Sequence, residues 1–377
     1  MSRSAAARRL LWRGFLVFDG LLVLLFAAGY AARYVHPRQL WWLQLVAVGL
    51  PYLAVLIVAA TLVTALRRRR GLLAVHLVLL VLAAVRFAPR AGFGAVAGRM
   101  PASPAEAASP ALTVMTFNLG WGGHLRGDPA RPAALAALVR AAGPDVVAFQ
   151  EAEMTFSRRP AGVRPAAYYA PLIDSLGYRT RVPDGSTRHV SKPVLARWPL
   201  DRLNERALRM NGGEVSELVR VVFSWQGRQA VLYNLHLQSY GARKPWHDGA
   251  FQVLNPASWL SFARQYRAAI LARAWQIEQV RRLIDTETLP VLVCGDFNNT
   301  PDNWGYRELT RGLTDAFARA GRGWGATFHA GLPLFRIDYV LAGPEWVVET
   351  AHVPPVRLSD HRPLVVRLRW RDPGNSR

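Results

Sequence analysis

Apolar residues fall along this chain in two rhythms. Up to about residue 90 they form long unbroken runs, about Phe15–Ala32, Leu40–Leu66 and Leu72–Ala88. Beyond residue 110 the runs are short, Leu112–Phe117, Val146–Phe149, Val231–Leu235 and Pro290–Cys294, and most lead straight into polar residues. The long runs lack polar faces, which disfavours a buried helical domain, and a helix needs about 20 apolar residues to cross a bilayer. The second run is long enough even with Pro51 inside it, since membrane helices tolerate proline. The first is marginal and carries Asp19, and the third has 15 residues between Arg70 and Arg86, so a crossing there relies on Arg86 snorkelling. Three transmembrane helices, 15–32, 40–66 and 72–88, are expected in an anchor over residues 1–99. A cleaved secretory signal fits the basic start, but two further apolar runs follow at once. Trp41 and Trp42 suit an interfacial aromatic belt.

The short runs read as buried strands whose polar ends present side chains at one rim of a sheet. Val219–Trp225 and Gln229–Leu237 flank Gln226-Gly227-Arg228, a hairpin signal. Arg131–Ala142 places Leu135, Leu138 and Val139 at helical spacing before the stop Gly143-Pro144. Tyr266–Ile284 puts Tyr266, Ile270, Ala274, Ile277, Val280 and Ile284 on one stripe, with Arg264, Arg267, Arg273 and Arg281 elsewhere. Strands, helices and hairpins mixed in this way predict a layered α/β or α+β domain over 111–370, large enough for a substantial core. A Pro/Ala/Ser-rich linker at 100–110 precedes it and a short tail, 371–377, follows.

Charge changes this picture less than its size suggests. The formal net charge is +22, and residues 1–100 hold 13 Arg against one acid, Asp19. Basic excess invites a nucleic-acid partner, yet the only lysines are Lys192 and Lys244, and the arginines are dispersed. The one dense block, Arg67–Arg70, lies between two apolar runs and reads as a topology determinant. A single cysteine, Cys294, sits inside an apolar run, so intrachain disulfides are impossible and a buried structural thiol is expected. His36, His76, His124, His189, His247, His329 and His352 show no zinc-type spacing. No Gly-x-x-x-x-Gly-Lys phosphate loop occurs, and Gly321–Gly325 reads as a turn.

Six segments carry the chemistry: Thr-Phe-Asn (116–118), Gln-Glu (150–151), Asn-Leu-His (234–236), Gly-Asp-Phe-Asn (295–298), Arg-Ile-Asp-Tyr (336–339) and Ser-Asp-His (359–361). Each alone is a weak signal; order, spacing and position after apolar runs give them weight. Ser359, Asp360 and His361 are chain neighbours and point in different directions, so they form no serine triad. Carboxylates and amides of this kind suit a hard cation such as Mg²⁺, which takes oxygen ligands.

As an ordered set, over roughly residues 111–370, the six segments resemble the endonuclease/exonuclease/phosphatase superfamily, which includes DNase I, exonuclease III-type repair nucleases, inositol polyphosphate 5-phosphatases and neutral sphingomyelinases. The resemblance implies an α+β fold, a four-layer α/β/β/α sandwich with the site at one end of two packed sheets. It implies Mg²⁺ or Mn²⁺ as cofactor, held by Glu151, Asn118 and Asp360. By the same resemblance Asp296 orients or deprotonates the attacking water. His361, partnered by Asp338, bonds the phosphoryl oxygen, and His236 contacts phosphate or assists the leaving group. Asn118, Asn234 and Asn298 are the expected phosphate-binding amides, with Asn234 also supporting His236. The grip of repair nucleases on duplex DNA is not found here. An insert, Gln238–Gln265, carries Trp246, Phe251, Trp259 and Phe262 and reads as a lid, a base-stacking platform or a membrane-touching loop.

The expected activity is hydrolysis of a phosphoric ester at a membrane, with lipid, small-molecule and nucleic-acid substrates open and no obligate protein partner evident. A nuclease is the alternative, and a catalytically dead binding module of the same fold a second. Positive charge before the first run and at Arg67–Arg70 places the N-terminus in the cytoplasm of a multi-pass plasma-membrane protein. Three spans then carry the catalytic domain to the extracytoplasmic side.

Overall fold

The computed structural model describes residues 3–90, 110–120, 130–152, 154–155, 169–182, 189–209, 215–240 and 254–371. These residues divide into two compact units, one formed by Met1–Ala88 with Thr300–Arg307 and the other by Pro89–Asn299 with Glu308–Arg377. The expected linker lies outside the described residues except for Pro110.

The first unit is helical: α1 (Arg3–Ala31), α2 (Leu43–Val48), α3 (Leu50–Leu66) and α4 (Arg70–Phe87). Two stretches, Ala7–Tyr34 and Arg70–Arg90, are long and apolar enough to cross a membrane. The same composition near an N-terminus also suits a signal sequence. The expected single helix over 40–66 is instead two, α2 and α3, parted at Gly49. Pro51 lies at the start of α3; lacking an N–H and clashing with the preceding turn, it is accommodated in a first turn but not in an interior. The third run, expected to cross only with Arg86 snorkelling, is one of the two long enough. Many apolar side chains face outward, among them Leu21, Leu24, Val55, Leu62, Val78, Val81 and Val85.

Polar groups close the inside of this unit. His76 Nε2 lies 2.9 Å from Asp19 Oδ1, and His76 Nδ1 lies 3.3 Å from Thr64 Oγ1, which links α1, α3 and α4. The guanidinium of Arg86 donates to the carbonyl of Tyr30 at 3.0 Å and stacks over its ring at 4.1 Å. At the other end, Arg67 and Arg69 lie over the ring of Trp12, 5.6 and 5.3 Å away. The segment Thr300–Arg307 is built into the unit through Gln44. Asn303 Nδ2 donates to the Gln44 carbonyl at 2.9 Å, and Trp304 N donates to Gln44 Oε1 at 3.0 Å.

The second unit holds two mixed sheets. Its elements are β1 (Leu112–Asn118), α5 (Ala130–Ala142), β2 (Val146–Gln150), β3 (Met154–Thr155), β4 (His189–Val190), β5 (Val194–Ala196), β6 (Arg202–Arg209), β7 (Val215–Trp225) and β8 (Arg228–His236). Then come α6 (Pro256–Asp285), β9 (Val291–Asp296), α7 (Trp304–Leu309, which starts within the returning segment), β10 (Thr314–Asp315), α8 (Ala316–Ala320), β11 (Asp338–Ala342), β12 (Trp346–His352) and β13 (Leu364–Trp370). One sheet runs β12-β13-β1-β2-β5, the other β10-β11-β9-β8-β7-β6, and β3 pairs with β4 apart from both.

Local chemistry accounts for the elements. Gln226 and Gly227, both at positive φ, make the two-residue turn between β7 and β8. The helix expected over 266–284 starts ten residues earlier, because Asn255 caps it through Ala257 N at 3.0 Å and Pro256 occupies its first turn. The last ten residues of the expected insert, 256–265, are therefore helix, while Trp246 and Phe251 lie outside the described residues.

Parallel pairing fixes the rim. In β1–β2 Asn118 aligns with Gln150, in β8–β9 His236 aligns with Asp296, and antiparallel β11 aligns Asp338 with Asp296. Gly295 has φ +129, and a Cβ there would come within 1.9 Å of the Leu235 carbonyl oxygen. The close approach at this glycine is to the neighbouring strand, β8. Gly295→Ala must push β8 and β9 apart next to Asp296, a loss on the order of 3 kcal/mol or more. Thermal unfolding of the full chain in detergent should show a drop of many degrees; a shift under about 2 °C would contradict this packing.

Candidate active site

The rim gathers side chains from four strand ends and two loops. Asn118, fully buried at the end of β1, donates from Nδ2 to Asp296 Oδ2 at 3.0 Å and to Glu151 Oε1 at 3.2 Å. Its Oδ1 accepts from Gly120 N at 2.9 Å, which fixes the amide orientation. Asp296, 1 % exposed, accepts from Asn298 N at Oδ1, 2.8 Å, leaving Oδ2 toward the other groups. His236 Nε2 lies 3.4 Å from Glu151 Oε1 and 3.7 Å from Asp296 Oδ2. From the opposite side His361 Nε2 lies 3.7 Å from Asp296 Oδ2, while its Nδ1 bonds Asp338 Oδ2 at 2.9 Å. The ring of Phe328 packs against that of His361 with centroids 4.9 Å apart.

Two of the residues bend the chain out of the sheet. Glu151 has φ +48 and Asn298 φ +49, the left-handed region that costs a non-glycine residue about 1–2 kcal/mol. Each follows a buried strand end, and the bend turns its side chain back toward the rim.

The electrostatics separate three groups. Burial raises the pKa of Asp296 to about 7, with the charge of Asp338 adding to it and His361 opposing it. Burial works to lower that of His361, but Asp338 and Asp296 outweigh it and push it up to about 10. His236 is pushed down to about 3 by burial and by the charges of Lys192, His361 and Arg273. One imidazole is therefore a cation and the other neutral near pH 7. Burial also pushes the Cys294 thiol up, leaving it an inert core group.

Two overlapping groups of ligand atoms lie within 4.8 Å of one another, Glu151–His236–Asp296 and Asp296–Asp338–His361. His236 Nε2 and Asp338 Oδ1 are buried with no hydrogen-bond partner among the described residues, and unsatisfied buried acceptors beside carboxylates suit a bound cation. The residues present therefore fit a divalent metal.

Most of the expected site residues converge, with differences at Asp360 and at the amides expected to bind phosphate: Asn118 is bonded as above, and Asn298 Nδ2 donates to the Leu237 carbonyl at 2.9 Å and to Asp296 Oδ2 at 3.3 Å. The amide of Asn234 is spent inside the protein: it accepts from Gln150 Nε2 at 2.6 Å and donates to the carbonyls of Phe149 at 2.9 Å and Lys192 at 3.2 Å. It braces the two sheets under His236 instead of facing an open position. Asp360 falls in neither ligand group and accepts from Ser359 Oγ at 3.1 Å. Three buried residues of the rim were given no role from the sequence: Gln150, which bonds Thr116 and Asn234; Lys192, whose Nζ donates to Ser191 Oγ at 3.0 Å; and Arg273. Arg273 was expected off the apolar stripe, yet it is 2 % exposed. The signal was present, because 266, 270, 273, 277, 280 and 284 follow a 3–4 rhythm with 273 at its centre.

Carboxylates, amides and two unlike imidazoles at the shared rim of two sheets define a hydrolase-type site on a DNase I-like α+β fold. The chain belongs to the endonuclease/exonuclease/phosphatase family, whose model matches residues 115–361. A second model, described only as a domain of unknown function (DUF8431), matches residues 9–87. No curated protein matches the chain. Among solved structures it is similar to a family member from Leptotrichia buccalis at 15% identity and TM-score 0.48, covering 69% of this chain and 100% of that one. It is similar to D. rerio TDP2 complexed with single-strand DNA product, at 15%, 0.48 and the same coverages. A Bacteroides thetaiotaomicron mannosyl-6-phosphatase gives 17% and 0.46, again over 69% and 100%.

Substitutions sort the groups. Asp296→Asn, His361→Ala and Glu151→Gln should each lower turnover by at least about a hundredfold, the scale of a positioned base or electrostatic stabiliser. His329→Ala, on an exposed loop, should change it by less than about threefold. Steady-state rates on purified full-length variants decide it, and equal damage from His329→Ala would overturn the assignment.

Proposed function

We propose that this chain is a divalent-metal-dependent hydrolase of phosphoric esters, held in a membrane by its N-terminal helices. The observation that carries the reading is the convergence of Asn118, Glu151, His236, Asp296, Asp338 and His361 within hydrogen-bond or ion-pair reach of one another. Glu151 would hold Mg²⁺ or Mn²⁺, an ion that keeps several waters, beside Asp296; Asn118 orients both carboxylates through Nδ2, and Asp360 adds negative charge behind His361. When bound, the cation supplies positive charge against the oxygens of the phosphoryl group. Asp296, its Oδ1 tied to Asn298 N, offers Oδ2 to accept a proton from the attacking water. His361, held as imidazolium by Asp338, presents Nε2–H to the phosphoryl oxygen as negative charge grows on it. His236 stays neutral, placing a nitrogen near the leaving oxygen. Asn118 and Asn298 steady the Asp296 carboxylate. Helix α5 buries Leu135, Ala136 and Val139 in the core shared with β1 and β2, and α6 packs beside β6; we read these as the outer layers of a four-layer sandwich.

The metal is tested on the full chain in detergent micelles, since Thr300–Arg307 is built into the helical unit. DNA, RNA, sphingomyelin, phosphoinositides and bis-p-nitrophenyl phosphate form the panel. EDTA should abolish hydrolysis, and Mg²⁺ or Mn²⁺ should restore it, because the donors are oxygens and imidazole with no thiolate. Activity indifferent to chelation would sink the mechanism, and the preferred substrate separates a lipid or small-molecule esterase from a nuclease.

The contacts within the helical unit support three crossings. Trp12, near the start of α1, lies beside Arg67 and Arg69 at the turn into α4. Tyr30, near the end of α1, lies beside Arg86 near the end of α4. If α1 crosses, the chain must return over 43–66 and α4 must cross again. Cytoplasmic placement of the Arg67–Arg70 end follows from the positive-inside rule. The segment Thr300–Arg307 sits at the opposite end, with Asp302 3.7 Å from Arg86 and the ring of Tyr306 under Arg33 at 5.4 Å. The catalytic chain then lies outside the cytoplasm. A C-terminal alkaline-phosphatase fusion should be active and a green fluorescent protein fusion dark; the reverse pair would refute this orientation.

A further inference from the structure

Arg273 lies on α6 with its side chain buried, and its guanidinium reaches two backbone carbonyls. Its Nε donates to the carbonyl of Gln238 at 2.7 Å and its Nη1 to the carbonyl of Asn298. Gln238 stands two residues beyond His236, and Asn298 two residues beyond Asp296. One planar group thus spans the exits of two adjacent parallel strands, immediately after the side chain each delivers to the rim. Gln276, three residues further along the same helix, accepts from Gln238 N at 2.8 Å. The exits are also sewn to each other, Leu237 N to the Asp296 carbonyl at 3.0 Å and Asn298 Nδ2 to the Leu237 carbonyl at 2.9 Å.

The chemistry assigned above uses this residue only as one of the positive charges that keep His236 neutral. Both acceptors are neutral; burial lowers the pKa of the guanidinium, and the fields of Tyr240, Tyr266 and Asp296 oppose that shift. A buried cation held this way is costly, and a core position could be filled by a leucine at less expense. Its geometry gives the return. Carbonyl oxygens of two chain segments are bridged at a fixed angle by a rigid fork, which a flexible ammonium cannot reproduce. The Asn298 carbonyl it holds belongs to the residue at φ +49, whose own N–H fixes Asp296.

We infer that Arg273 is a positioning residue, which clamps the exits of β8 and β9 and thereby sets the separation and orientation of His236 and Asp296. Its catalytic consequence rests on the proposed hydrolase reading; the clamp itself does not. Small displacements of reacting groups cost rate steeply, about a hundredfold for 1 Å.

Hydrogen–deuterium exchange with mass spectrometry on the full chain in detergent reads the clamp without any substrate. In Arg273→Met and Arg273→Lys, peptides covering 235–240 and 294–300 should exchange at least about tenfold faster, with β12 and β13 unchanged. Gln276→Leu removes the bond to Gln238 N, and should speed exchange over 235–240 while sparing 294–300; it also serves if the Arg273 variants fail to fold. On whichever panel substrate the parent hydrolyses, both Arg273 variants should lose at least about thirtyfold in kcat with KM within about threefold. Parent-like protection of both segments, faster exchange spread evenly over both sheets, or full recovery of protection and kcat in Arg273→Lys would each overturn the inference. A parent inactive on every substrate would instead refute the hydrolase reading, with the exchange result still deciding the clamp.

Discussion

A carboxylate taken out of water costs several kcal/mol unless hydrogen bonds and opposite charge replace its hydration. Asp296 is such a group: burial lifts its pKa to about 7, and much of the second unit is arranged around offsetting that cost. The Asn298 amide and the Asn118 side chain donate to it, and His361 faces it as a cation. Each helper needs its own support. Asn298 must adopt a left-handed backbone to turn its N–H inward, His361 needs Asp338 to stay protonated, and Asn118 needs Gly120 to fix its amide. Remove the buried charge and these features lose their reason. The site is therefore a set of dependencies that converge on one side chain.

The strands delivering these residues were legible because burial on both faces leaves long apolar stretches and polar residues only at the ends. Leu112–Phe117, Val146–Phe149, Val231–Leu235 and, apart from Pro290, Pro290–Cys294 lie within strands of the observed sheets. What joins the strand ends was not legible. A sequence gives the order of β1, β2, β8 and β9, whereas the parallel alignment of Asn118 with Gln150 and of His236 with Asp296 depends on packing across the sheets. The brace formed by Asn234, Gln150 and Thr116 escaped for the same reason, since amides and hydroxyls near strand ends look alike whether they meet ligand or protein. Arg273 escaped because an arginine on a helix usually lies at the surface.

The helical unit shows a different limit. Hydropathy counts apolar residues and is blind to where a chain turns, so the run over 40–66 read as one helix although it folds as α2 and α3. The break gives Gln44, on α2, its task. Its side chain donates to the carbonyls of Ala32 and Val35 and accepts from Trp304 N. A glutamine in an apolar run reads as a tolerated exception; here it joins the end of α1 to a segment some 260 residues away in the chain. That segment begins right after Asn299, so the residues following the Asp296 motif are shaped by helices that composition alone would label an anchor. The Asp19–His76 pair has a similar logic, since ionisable groups among apolar helices persist only when paired.

His236 and His361 have the same side chain, and both approach Asp296 Oδ2 to 3.7 Å. They nevertheless hold opposite charge states, and the cause is local. His361 has a second carboxylate, Asp338, bonded to its far nitrogen, and that bond outweighs the penalty of burial. The field at His236 is instead dominated by burial and the cations Lys192, His361 and Arg273, which favour the neutral ring. Two titratable groups pushed apart by their surroundings can act as donor and acceptor at one pH. Protonating one ring also discourages the other, because each imidazolium raises the cost of a second positive charge nearby. Asp338 therefore does more than orient a ring. By fixing which histidine carries the proton, it fixes on which side of Asp296 the positive charge lies, and under the hydrolase proposed above that charge would give the rim a direction for turning over a phosphoryl group.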